Sequence, residues 1–230
     1  MKTQLAETTA CDGVTAISLP LPFGKRGVNC YLLDAADGFV LVDTGHATAR
    51  RALLRALEET GYRPGTLRLV LLTHGDFDHT GNAAALRAAF GAPIAMHRGD
   101  VGMAERGDMF AGRKKPSVLV RLLVPLLVRL RPADRFTPDL LLEEGTDLAP
   151  YGLDARALWL PGHSRGSVAL LTAGGALFCG DLLENSRVPA LNSLMDDPAA
   201  GQASLERLRG LGAVTVYPGH GAPFALEELA

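Results

Sequence analysis

Four side chains able to hold a metal, His74, Asp76, Asp78 and His79, fall within six residues of the run Leu71-Leu72-Thr73-His74-Gly75-Asp76-Phe77-Asp78-His79-Thr80-Gly81-Asn82. Imidazole nitrogen and carboxylate oxygen are donors for zinc, iron and manganese. A lone His or Asp in a loop is more often a cap or a solvated residue, but four together directly after an apolar run point to metal. Three more donors stand at similar breaks. His163 follows Leu158-Trp159-Leu160-Pro161-Gly162, Asp181 follows Leu177-Phe178-Cys179-Gly180, and His220 follows Val214-Thr215-Val216-Tyr217-Pro218-Gly219. Strand ends gathered at one edge of a sheet can bring distant donors together, and the adjacent glycines permit tight turns. Seven donors suffice for two ions.

The elements that must position them are short. Apolar runs of four to six residues, closed by Gly, Asp or His, recur at 15–19, 30–33, 39–42, 67–72, 93–96, 156–160, 167–171, 176–179 and 213–217. Their length, β-branched and aromatic content and bounding turn signals predict strands. Helical patterns lie between them. Thr48 is expected to cap a helix running to Gly61, residues 82–90 read as a short Ala-rich helix, and Asp197 is expected to cap a helix over 198–208. The alternation predicts a layered α/β architecture. Residues 113–136 break the rhythm with a basic start, a Leu/Val-rich centre and three prolines. On a helical projection Lys114, Arg121, Pro125 and Arg129 share one face, with Leu119, Leu122, Leu123, Leu126 and Leu130 elsewhere. The segment is expected to be a helical lid, its apolar face packed on its own domain or used as a substrate cap, a homodimer contact or a membrane-surface contact.

Bulk properties set outer limits. The chain has 230 residues, 47% apolar and 21% charged, as expected of a folded globular protein. A net charge of −2 gives no basic excess for nucleic acid. The three cysteines, Cys11, Cys30 and Cys179, are too far apart for a disulfide framework or zinc ribbon, and reduced thiols in a cytoplasmic protein fit best. No export signal is legible at the N-terminus, and the greasiest stretch, 117–130, is shorter than a membrane span and carries charge.

Taken in order, Asn29-Cys30-Tyr31-Leu32, Leu41-Val42-Asp43-Thr44-Gly45, the His-rich loop, Pro161-Gly162-His163-Ser164-Arg165-Gly166-Ser167, Gly180-Asp181 and Gly219-His220-Gly221 resemble the metallo-β-lactamase-fold hydrolase superfamily, and within it the glyoxalase II-like members. The resemblance covers nearly the whole chain and implies a single domain over residues 1–230 with the four-layer αβ/βα sandwich of that superfamily. By position, the family's H-x-H-x-D-H pattern implies a first metal held by His74, Asp76 and His163. A second is held by Asp78, His79 and His220, with Asp181 bridging both. Asp78 and Asp181 then double as the catalytic carboxylates. The sequence departs from the pattern at Asp76, where most zinc members have His. A hard anionic oxygen there favours iron or manganese over zinc.

Hydrolysis is the economical inference, because two divalent ions would lower the pKa of a bound water to about 7 and polarise a scissile carbonyl or phosphoryl oxygen. The resemblance implies a small ester-like substrate, with a thioester or lactone favoured and a phosphodiester next. The ten residues after His220 do not resemble the basic glutathione-binding region of a full glyoxalase II. Rival readings are an iron-dependent sulfur dioxygenase-like oxidoreductase and a non-catalytic metal-containing binding protein. Ser164 and Ser167 lack a G-x-S-x-G elbow and read as turn residues. Asp43 is a candidate to orient a ligand histidine, or simply a turn former. His46 and His97 stay outside the ligand set, and Cys30 and Cys179 read as buried small hydrophobes.

Overall fold

The computed structural model describes residues 6–11, 13–22, 27–61, 63, 65–113 and 130–229. A first sheet of seven strands runs in the order β1 (Glu7–Cys11), β2 (Val14–Pro20), β3 (Gly27–Ala35), β4 (Gly38–Val42), β5 (Leu67–Leu71), β6 (Ile94–His97) and β7 (Leu140–Leu142). Its first four strands are antiparallel neighbours, and β4 to β7 are parallel. The second sheet contains β8 (Ala155–Trp159), β9 (Val168–Thr172), β10 (Ala176–Gly180), β13 (Thr215–Pro218) and β14 (Phe224–Ala225), in the order β14-β13-β10-β9-β8. A two-stranded ribbon pairs β11 (Leu183–Glu184) with β12 (Ala190–Leu191).

Burial on both faces of both sheets explains why the strands read as continuous apolar runs rather than alternating ones. Along β3, Cys30 and Leu32 face an outer core with Leu53 and Leu57 of α1 (Arg50–Glu59) and Leu86 of α3 (Ala83–Phe90). Tyr31 and Leu33 face inward to meet Leu170 and Phe178 of the second sheet. Along β9, Ala169 and Leu171 turn the other way, onto Leu205 and Leu208 of α5 (Pro198–Arg209). Three apolar layers between helix, sheet, sheet and helix make the four-layer αβ/βα sandwich. The inner layer carries an aromatic knot, with Tyr31 edge-on to Phe178 at 5.2 Å and Phe178 stacked on Tyr217 at 4.7 Å.

All nine sequence-derived strands are present. The short β1, β7, β11, β12 and β14 are additional, because strands of two to five residues, several at sheet edges, carry little pattern. Asp197 caps α5 as expected, its Oδ1 accepting from Ala199 and Ala200 N–H. Thr48 does not cap α1. A 3-10 turn (Ala47–Ala49) precedes that helix, and His46 Nδ1 accepts from Thr48 N–H instead. The lid expected at 113–136 falls mostly on residues outside those described. Of its flanks, Arg113 reaches the site below, whereas Leu130 and Phe136 are buried, and Asp134 pairs with Arg50 of α1 at 2.5 Å. Among the described residues, no helix is long and apolar enough to cross a membrane.

Candidate metal centre

Strand direction gathers the donors. In the first sheet β4, β5 and β6 run the same way, and in the second β8, β10 and β13 do. His74 follows β5, while Asp78 and His79 lie on the one-turn helix α2 (Phe77–Thr80) beyond it. His163, Asp181 and His220 follow β8, β10 and β13. The two edges are tied by backbone bonds, Val168 N–H to Thr73 O and Asn29 N–H to Gly219 O, each 2.8 Å.

The result is one compact cluster. Donor atoms of His74, His163 and Asp181 lie within 4.8 Å of one another, and so do those of Asp78, His79 and His220. Asp181 stands between the two sets, with Oδ1 3.3 Å from His79 Nε2 and Oδ2 3.3 Å from His220 Nε2 and 4.0 Å from His163 Nε2. Asp76 joins the first set, its Oδ2 3.0 Å from His163 Nε2 and 3.6 Å from His74 Nε2. All seven residues singled out from the sequence are therefore brought together.

Each histidine presents the same nitrogen. Nδ1–H of His79 donates to Asp43 Oδ2 at 2.8 Å, that of His163 to Leu194 O at 2.6 Å, and that of His220 to Gly27 O at 2.8 Å. His74 Nδ1 lies 2.9 Å from Thr73 Oγ1, whose own proton goes to Asp43 Oδ2, so this imidazole is also the donor. With Nδ1 engaged as the donor in all four, the Nε2 atoms converge on the cluster, the nitrogens that would bind a metal once they shed their protons.

The cluster fits a cation. His74 Nε2, His79 Nε2 and Asp181 Oδ1 are buried and make no hydrogen bond, a cost seldom left uncompensated. Burial opposes charge on His79, His163 and His220, yet the facing carboxylates outweigh it and push all three up, His220 to about 9. Burial opposes ionisation of Asp181 as well, but His220 and His79 hold it well below the usual carboxylate range. Space is reserved too: a Cβ on Gly219 would lie 2.2 Å from Asp181 Oδ1.

Three supporting residues stand behind the donors. Asp43, the one non-glycine residue at positive φ among those described (φ 60°), accepts from Thr73 N–H and Thr73 Oγ1–H besides His79. It is thus both turn former and imidazole holder. Asp100, at the start of α4 (Val101–Arg106), accepts from Gly75 N–H, Gly166 N–H and Ser164 Oγ–H, stapling the His74 loop to the His163 loop. Arg113 faces Asp76 Oδ1 at 2.7 Å and Asp196 Oδ2 at 2.8 Å. Sequence reasoning singled out neither Asp100 nor Arg113 for this site, although Gly99-Asp100 after β6 repeats the strand-end pattern of Gly180-Asp181.

The remaining candidates sit apart. His46 packs edge-on to Phe77, and His97 stacks on Trp159 at 5.5 Å. Ser164 bonds Ser167 and donates to Asp100 in the interior. Burial raises the thiols of Cys30 and Cys179, the latter to about 12, which makes both inert.

The model of the metallo-beta-lactamase superfamily matches residues 23–220, and the chain belongs to that superfamily. It is 35% identical over 210 residues to metallo-beta-lactamase domain-containing protein 1 of Homo sapiens, covering 88% of this chain and 65% of that protein. With a hydroxyacylglutathione hydrolase of Anaeromyxobacter dehalogenans (strain 2CP-C) it shares 32% over 209 residues, 90% of this chain and 66% of the relative. The chain thus spans just under two thirds of both. The crystal structure of TTHA1623 in a di-iron-bound form superposes with a TM-score of 0.68 at 32% identity, covering 91% of this chain and 95% of that one.

Proposed function

We propose that the cluster holds two divalent ions, the first on His74, Asp76 and His163 and the second on Asp78, His79 and His220, with Asp181 shared, and that the protein hydrolyses a small thioester or lactone. The observation that carries this reading is the convergence of four Nε2 atoms on a carboxylate set between them. Bound ions would supply Lewis acidity and make water a nucleophile at neutral pH. Asp78 and Asp181 would be the carboxylates to take the proton that such a water gives up. Zinc and iron are both compatible, and the di-iron neighbour supports the second.

The surroundings suit a small ester-like substrate. A cavity of about 260 Å³ opens beside His220, lined by Ser18, Gly27, Asn29, Asn185, Ser186 and Gly221. The side chain of Leu194, whose carbonyl holds His163, is 74% exposed, and that of Val188, two residues beyond Ser186, 67%. Leu194 thus offers apolar contact close to the donors. The resemblance to a hydroxyacylglutathione hydrolase supports a thioester.

The test is a panel of acyl thioesters, lactones and phosphodiesters offered to protein stripped of metal and reloaded with zinc, iron or manganese, with an oxygen electrode alongside. Turnover of an acyl substrate by the loaded protein alone is expected. Turnover confined to phosphodiesters, or oxygen uptake without hydrolysis, would overturn the substrate assignment.

A further inference from the structure

Asp76 stands where the superfamily's pattern has a neutral imidazole, and an anionic oxygen there would by itself draw the first position toward hard ions. The structure shows that this carboxylate is not alone. Its Oδ2 faces His163 and His74, while its Oδ1 lies 2.7 Å from Arg113 Nη1. The Arg113 side chain is 9% exposed, and its Nε lies 2.8 Å from Asp196 Oδ2, in the loop that leads into α5. Asp196 N–H in turn donates to His163 O. The guanidinium is therefore held from the His163 side of the cleft and laid along the outer edge of Asp76.

We propose that Arg113 is a positioning residue that reserves one oxygen of Asp76 and balances its charge, so that the Asp76–Arg113 pair acts toward the first ion as a single neutral donor. This rests on the reading of Asp76 as a ligand. With one oxygen facing the guanidinium in an ion pair at 2.7 Å, Asp76 offers the ion one donor atom and does not chelate through both. With its charge offset, the donor set of three carboxylates plus Arg113 carries the same net charge as two carboxylates with His at position 76. The departure from the family pattern is thereby compensated 37 positions away, and zinc stays acceptable at the first position.

The electrostatics agree with the geometry. Burial opposes ionisation of Asp76, and Arg113, with His163 and His74, holds its carboxyl well below the usual range. Burial also opposes the charge on Arg113, and Asp76 and Asp196 keep it protonated.

The test is metal selectivity. Metal-free protein is dialysed against equal concentrations of zinc and manganese, and bound metal is read by elemental analysis and by the manganese EPR signal. Arg113→Met frees both oxygens of Asp76 and should raise the bound manganese-to-zinc ratio on the order of tenfold. Arg113→Lys, which keeps the charge and most of the packing, should stay within about twofold of the parent. In an Asp76→His background there is no carboxylate to hold, and Arg113→Met should leave the ratio unchanged. An unchanged ratio in Arg113→Met, or an equal shift with His at position 76, overturns the proposal. Asp76→Ala separates the two readings. If it still binds two ions, Asp76 is not a ligand. If it binds one while Arg113→Met and Arg113→Lys both match the parent ratio, the ligand assignment stands and the role of Arg113 falls.

Discussion

Asp43 Oδ2 and His79 Nδ1 meet at 2.8 Å, both side chains almost wholly buried. The same carboxylate takes the N–H and the hydroxyl proton of Thr73, the residue before His74. One side chain at the end of β4 therefore sets the orientation of donors from both halves of the His74–His79 loop.

Asp43→Asn should lower affinity for the second ion by about 10–100-fold with the fold retained. Asn tolerates the positive φ at this position, but its NH2 would face either the His79 Nδ1 and Thr73 Oγ1 protons or the Thr73 backbone N–H, donor against donor. Competition for zinc against a chelating dye, with circular dichroism as control, measures it. Parent affinity would assign Asp43 to turn formation alone.

Metal removal should invert the pH response. In the metal-free protein burial opposes charge on His220, yet Asp181 pushes it up to about 9, from an ordinary value of 6.5. The folded state then binds more protons than the unfolded one between those values, so this stabilisation is complete below about pH 6.5 and lost as the pH rises through about 9. His79 and His163 add in the same direction. The depressed Asp181, the other partner of the same pair, contributes above the ordinary carboxylate range and loses its part only in acid. Calorimetry in excess chelator should show Tm falling from pH 6.5 to 9. Affinity for added zinc should rise over that interval, since the imidazoles must shed protons to bind it. A metal-free Tm that climbs with pH would contradict the cluster's electrostatics.

Asp100→Ala removes the acceptor for Gly75 N–H, Gly166 N–H and Ser164 Oγ–H at a position 2% exposed. The cost should be about 3 kcal/mol in urea unfolding with chelator present. Because the staple joins the His74 and His163 loops, first-ion affinity should fall with it. Loss of stability with both ions bound at parent affinity would confine Asp100 to structure.

Gly219→Ala is the sharpest steric probe. The added methyl would fall 2.2 Å from Asp181 Oδ1 and 2.7 Å from His79 Cε1. Elemental analysis should find fewer than two ions per chain, with far-UV circular dichroism unchanged. Full occupancy would mean that Asp181 is not the shared ligand.

The donors were legible because each of His74, His163, Asp181 and His220 closes an apolar run, and strands sharing a direction deliver their ends to one edge. The layers were legible because β3 and β9 are apolar at successive residues, the mark of a sheet buried on both faces. What stayed hidden depends on partners distant in sequence. Nothing near Arg113 announces Asp76, and it reads locally as the basic start of an amphipathic segment. Asp100 looks like a helix cap until the loop carrying Gly166 folds over it. Thr48 does not cap α1 for a local reason: a 3-10 turn precedes the helix, so His46 caps that turn and α1 itself has no side-chain cap.

The donors are divided between two halves of the chain: His74, Asp78 and His79 come from the first sheet's edge, and His163, Asp181 and His220 from the second's. Neither sheet can assemble the cluster without the other, and its last donor follows β13, which pairs in parallel with β10. Ion capture is thus an order-of-assembly reporter, a clasp that closes when the two halves dock. A chelator added during refolding should leave the early formation of each sheet untouched while loosening the final joining of the pair.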